Sequence, residues 1–103
     1  MAKLNLKPDP TFNGKVKIPV AGKEPAEVMF TFKHRSREDV LTWLQEARQR
    51  SDTDTVMDMV VGWDLDDEFN RDNVELLCSN YAGAGRAIIE KYLAELRGER
   101  EKN

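Results

Sequence analysis

The hydrophobic period of this chain changes between Lys33 and Asp39, and a fold has to respect that change. Before it, apolar residues alternate: Val16, Ile18 and Val20 share a side opposite Lys15 and Lys17, and Val28, Phe30 and Phe32 oppose Met29, Thr31 and Lys33. A period of two belongs to a strand with one buried face. After it, Val40, Trp43, Leu44 and Ala47 recur at i, i+3, i+4 and i+7, the stripe of an amphipathic helix. The order is therefore strands first and helices second, which points to α+β.

The alternation predicts strands over 15–20 and 27–34, joined by a turn containing Gly22 and Pro25. Pro19 has no amide hydrogen, so the first strand belongs at a sheet edge. A hairpin alone is unstable in water and needs a cover on its apolar side. The helix opened by Ser36, with Glu38 and Asp39 near the positive end of its dipole, follows directly and is the expected cover. Arg48 and Arg50 close it. The run Ser51 to Thr55 caps a second, shorter helix carrying Val56, Met57, Val60 and Val61, which Gly62 is expected to stop in the left-handed conformation. Asn70 opens a third, with Val74, Leu77, Cys78 and Tyr81 on one face. Gly83 and Gly85 then interrupt, at about 1 kcal/mol each in a helix interior. A fourth helix follows, with Ile88, Ile89, Tyr92, Leu93 and Leu96 inward, ending at Gly98. The expectation is an N-terminal antiparallel β-hairpin packed on a small bundle of about four helices. Residues 14–98 form one domain, 1–13, with Pro8 and Pro10, an extended arm, and 99–103 a charged tail.

Charge narrows the function. The chain has 103 residues and a formal charge of −3, distributed unevenly: residues 1–50 carry ten basic and six acidic groups, 51–80 carry one and nine, and 81–103 carry five and four. An acidic middle argues against nucleic acid, whose binding rests on neutralised phosphates, and favours a basic or amphipathic protein partner. The single Cys78 excludes an internal disulfide, and with His34 as the only other soft ligand it cannot found a zinc site. With no apolar run of signal-peptide or membrane-span length, the expectation is a soluble protein of the cytoplasm that engages no membrane.

The acidic charge and the largest side chains meet between Val60 and Phe69, the joint between the second and third helices. There Trp63, Leu65 and Phe69 are threaded through Asp64, Asp66, Asp67 and Glu68. As a bland reading these three pack between helices; as a functional one they are anchors of a partner site rimmed by carboxylates. Asp64, Asp66, Glu68, Asn70, Asp72 and Glu75 match the positions of a calcium loop, but Phe69 stands where the sharp turn needs glycine, so no metal is expected. His34 has no partner that would make it catalytic, and Cys78 reads as a small buried hydrophobe. Arg35, Arg37, Arg48 and Arg50 read as charges flanking a helix. Gly83 and Gly85 are too few, and lack the preceding strand, for a phosphate cradle. No enzyme activity and no cofactor are expected.

The blocks Phe30-Thr-Phe-Lys-His-Arg-Ser-Arg-Glu-Asp39, Val61-Gly-Trp-Asp-Leu-Asp-Asp-Glu-Phe69, Asn73-Val-Glu-Leu-Leu77 and Asn80-Tyr81-Ala-Gly-Ala84 together resemble the tail assembly chaperones of long-tailed phages and prophages, over about Lys3 to Arg97. Ala82 stands where that resemblance leads one to expect proline. The resemblance implies a non-enzymatic protein of virion morphogenesis. Such a protein binds and solubilises the tape measure protein, helps recruit major tail tube subunits, and is generally absent from the finished particle. It supplies no catalytic residues. On the residues, Trp63, Leu65 and Phe69, with Asp64, Asp66 and Asp67 around them and the exposed faces of the last helix, become the expected partner site, many weak copies acting together on one client, with weak self-association. The rival readings are a structural tail protein retained in the virion and a phage-encoded regulator of a host protein.

Overall fold

Strand β1 (Thr11–Ile18) and strand β2 (Ala26–Lys33) pair antiparallel in unbroken register from Thr11 opposite Lys33 to Ile18 opposite Ala26. The computed structural model describes residues 4–98; of the arm expected over residues 1–13 the first three lie outside the described residues, as does the tail expected for 99–103. The first strand starts at Thr11, four residues before the expected Lys15, because Phe12 continues the apolar alternation and stacks on Phe32 at 5.5 Å. It ends at Ile18, just before Pro19, and it is an edge strand. Val16, Ile18, Val28, Phe30 and Phe32 all face the core.

Helices α1 (Arg37–Ala47), α2 (Asp52–Met59), α3 (Arg71–Asn80) and α4 (Ala84–Leu96) follow, with β3 (Val60–Trp63) between α2 and α3. Three of the four begin as the sequence predicts. The hydroxyl of Ser36 accepts from the Asp39 amide, that of Ser51 from the Asp54 amide, and the Asn70 carbonyl oxygen from the Asn73 amide. Helix α4 begins at Ala84, after Gly83, which offers no side-chain cap, so Gly85, expected to share in the interruption, lies in the first turn of the helix instead. Gly98 ends the helical region with φ +75°, a conformation that glycine adopts without steric cost.

The sheet has a third strand where a helix tail and a left-handed Gly62 were expected. Helix α2 stops at Met59, and Gly62 has no positive φ; it pairs with Thr31 inside β3. Val60 pairs with Phe32 and Trp63 with Phe30, so Val61 is an extra residue opposite no partner, a β-bulge. The bulge has a packing consequence. Residues three apart on a regular strand face opposite sides, but the extra residue brings both Val60 and Trp63 to the face that carries Phe30 and Phe32, while Val61 is left exposed.

The hairpin's cover is also not the expected one. Helix α4 packs across β1, and α2 packs on α3 and α4, whereas α1 buries only Trp43. Helix α4 wins that place because it sends in Ala84, Ile88 and Tyr92, all fully buried. Tyr92 stacks on Phe32 at 5.3 Å and meets the edge of Trp43 at 5.3 Å. The close fit of α4 on α2 depends on Gly85, where a Cβ would lie 2.6 Å from Asp52 Oδ2.

Candidate functional site

An open cavity of about 380 Å³ lies where the turn end of the hairpin, the end of β3 and one flank of α3 meet. Its hairpin side is Ile18, Val20, Ala26 and Val28. Trp63 and Leu65 form one end, and Leu76, Leu77 and Tyr81 the opposite wall. The lining is apolar except for Asp67, Asn73 and Asn80. Leu76 and Tyr81 are 56% and 40% exposed, unusual for large apolar side chains on one small surface.

Trp63 is held by specific contacts. Its backbone belongs to β3, its ring meets Phe30 edge-on at 6.2 Å and Phe69 edge-on at 5.2 Å, and its indole N–H donates to the Asp67 carbonyl at 2.8 Å. The loop after β3 is tied back to the sheet by Asp64, whose amide donates to Met29 O and whose carboxylate accepts from the Met29 amide, both at 3.0 Å. Asn73 donates to Glu68 O and so ties the loop's other end to α3. The loop therefore holds a defined shape despite its four carboxylates.

Of the expected site residues, Trp63, Leu65 and Asp67 line the cavity together. Phe69 does not; it is half-buried behind Trp63 and supports the indole. Asp64 and Asp66 are exposed on the same loop outside the lining. The wall opposite is α3, and no residue of α4 contributes, because α4 turns its apolar side to the sheet. Sequence reasoning missed Leu76 and Tyr81. Leu76 lies off the inward stripe of Val74, Leu77 and Cys78, and that was the available signal: an apolar residue on the wet flank of a helix.

The remaining polar groups are structural. Arg35, read as a charge flanking a helix, is a half-buried clamp. It donates to Tyr92 Oη at 2.8 Å and to Asp58 O at 3.1 Å, with its guanidinium 5.2 Å from the centre of the Trp43 ring. Tyr92 in turn donates to Lys33 O at 2.8 Å, and burial pushes its phenol pKa up while Arg35 pulls it down. Arg71 pairs with Asp54 and holds that carboxyl below the usual range. Burial pushes the half-buried Cys78 thiol up. Asn70 is occupied as the α3 cap. Among the described residues no group of three His, Cys, Asp or Glu is placed to hold a metal, and no helix is long and apolar enough to cross a membrane.

Neither a curated protein nor a solved structure matches this sequence or fold. The model of one protein family, described as phage tail assembly chaperone, does match, over residues 1–103 and thus along the whole sequence. On that match along its whole length, this chain belongs to the phage tail assembly chaperone family.

Proposed function

We propose that the groove walled by Trp63, Leu65, Leu76 and Tyr81 grips an apolar helical segment of the tape measure protein, and that chaperone bound in this way solubilises that client and helps deliver major tail tube subunits to it. The action is by binding alone, with no enzyme step and no cofactor, in the host cytoplasm before the tail is complete. One observation carries the reading: large apolar side chains stay exposed around a cavity of about 380 Å³ instead of closing over it. An amphipathic helix laid in such a groove buries its own anchors against them. Asp64, Asp66 and Asp67 on the adjoining loop favour clients with lysine or arginine beside those anchors and disfavour acidic ones.

Magnitudes decide how such a site must work. Two leucine- or phenylalanine-sized anchors contribute about 3–6 kcal/mol, and association itself costs about 4 kcal/mol or more. A single contact is then weak and reversible, and a long client is held through many copies acting together. Co-expression with the tape measure protein tests this. Wild-type chain should keep the client in the soluble fraction, and Trp63→Ala or Leu76→Asp should lose it while circular dichroism stays native. Phe69→Ala should have a smaller effect, acting through the Trp63 ring. Folded Trp63→Ala and Leu76→Asp proteins that solubilise the client as well as wild type would refute the site. Mass spectrometry of purified particles should find the chain missing.

A further inference from the structure

Helix α1 carries a large apolar residue that the fold does not cover. Its inward side holds Trp43, which is buried, with Val40 and Leu44 half-buried against the core. Leu41 is off that side and 57% exposed. At 3.6 residues per turn Arg37, Leu41, Leu44 and Arg48 fall within about 60° of arc, roughly a third of a turn away from Trp43. Their spacing of four, three and four residues is that of a coiled-coil seam, so they form a line along the helix axis. Arg48 is the C-cap and keeps helical dihedrals, so the line runs unbroken to its end.

The two ends of this seam are cationic and unused. Arg35 is bound to Tyr92 and Asp58 O, Arg50 to Glu46 and Asp58, Arg71 to Asp54, and Arg86 to Glu90, and Arg97 is engaged as well. Among the described residues only the guanidinium groups of Arg37 and Arg48 have neither a hydrogen bond nor an ion pair, and both are exposed. The acids of α1 do not neutralise the line. Asp39 and Glu46 are on the opposite side of the helix, Glu46 paired with Arg50, and Glu38 lies beside the seam rather than in it.

We infer that the seam of Arg37, Leu41, Leu44 and Arg48 docks an acidic amphipathic helix of a second protein, distinct from the client held in the groove. The fit is one of charge and pattern. A helix laid along the seam would place leucine-sized residues over Leu41 and Leu44 and carboxylates against two arginines about 16 Å apart, each able to hold a carboxylate by two parallel hydrogen bonds. Apolar side chains between the arginines favour such a helix over a nucleic-acid strand, whose phosphates would leave both leucines unburied.

The seam is also well placed to act beside the groove. Trp43 meets Tyr92, and Tyr92 donates to Lys33 O, at the end of the hairpin where Thr11 pairs with Lys33. The groove opens at the Ile18 and Ala26 end, about 23 Å along the strand at 3.3 Å per residue. The two surfaces do not overlap, and their charge preferences are opposite: carboxylates beside the groove, arginines on the seam. One copy can therefore hold a basic apolar helix at one end and an acidic one at the other.

Fluorescence anisotropy with the full chain tests this, using a labelled alanine-based peptide of about 20 residues. The peptide carries a glutamate, leucines four and seven residues later, and a second glutamate eleven residues after the first. Wild-type protein should bind it about tenfold more tightly than the same peptide with lysines for the two glutamates, since two ion pairs become two repulsions. Leu41→Ser should lose the glutamate peptide, Arg37→Glu/Arg48→Glu should invert the preference, and Trp63→Ala should bind as wild type does. The three α1 positions are exposed, and circular dichroism should stay native in each variant.

Equal affinity for the two peptides overturns the inference, as does a Leu41→Ser protein that binds like wild type. Loss of the glutamate peptide in Trp63→Ala puts the peptide in the groove and overturns it too. So does displacement of the peptide by an equal concentration of single-stranded RNA, or sedimentation showing that Leu41 is covered by another copy of the chain. Leu41→Ser leaves the groove intact and should still solubilise the tape measure protein. Failure of the peptide to bind therefore leaves the client reading standing, and failure of the client reading leaves the seam.

Discussion

Replacing Tyr92 by phenylalanine keeps the buried ring and removes one oxygen that joins three elements. Tyr92 Oη accepts from Arg35 Nη1 and donates to Lys33 O, both at 2.8 Å, which ties α4 to the end of β2 and to the β2–α1 connection. A neutral hydrogen bond contributes about 1 kcal/mol and one to a charged group about 1.5–3 kcal/mol. Arg35 keeps its bond to Asp58 O and its place against Trp43, and both lost bonds are only partly buried, so the expected net loss is about 2 kcal/mol. For a domain of this size that lowers the melting temperature by about 8–16 °C. Urea and thermal unfolding followed by circular dichroism measure it, and a cycle with Arg35→Met should show coupling of about 1 kcal/mol between the two sites.

The phenol also predicts a pH dependence. Burial raises its folded pKa above the ordinary 10.0, with Arg35 opposing. As pH passes about 10 the unfolded chain releases this proton first and binds fewer protons than the folded one, so stability falls through the raised folded value. Below that window the contribution is complete. Tyr92→Phe should lack this part of the alkaline decline. A loss below about 0.5 kcal/mol, additive effects with Arg35→Met, or an unchanged alkaline limb would each refute the clamp.

Two further expectations concern the α2 face. Gly85→Ala would ordinarily stabilise a helix by about 1 kcal/mol, but its Cβ would stand 2.6 Å from Asp52 Oδ2 and 2.9 Å from Asp52 Cβ, so denaturant midpoints should fall; a more stable variant would show that α4 sits more loosely on α2. Cys78, half-buried with its thiol pKa raised by burial and by the Asp52 charge, should alkylate many times more slowly in the folded protein than in urea at pH 8, and equal rates would contradict the packing.

The groove shows why one of its walls was legible in advance and the other was not. Trp63, Leu65 and the carboxylates around them are neighbours in sequence, and their mixture of large apolar and charged groups is visible without coordinates. Leu76 and Tyr81 acquire meaning only when α3 is laid against the end of the sheet. Phe69 reads as a third anchor from its neighbours alone, yet the turn of the loop places it behind the indole.

Period and capping are properties of residues a few positions apart, so the sequence by itself determined the hairpin, the order of four helices, the caps at Ser36, Ser51 and Asn70 and the break at Gly83. Only tertiary structure decided that Val60–Trp63 is a strand, since a four-residue apolar run suits a helix end or a strand equally until β2 offers a free edge. It also decided that α4 covers β1 and that Arg35 packs half-buried against Trp43 and Tyr92. Those outcomes depend on contacts such as Met29 with Asp64, 35 residues apart, and Arg35 with Tyr92, 57 apart, and no local pattern encodes which distant partner a polar side chain will meet.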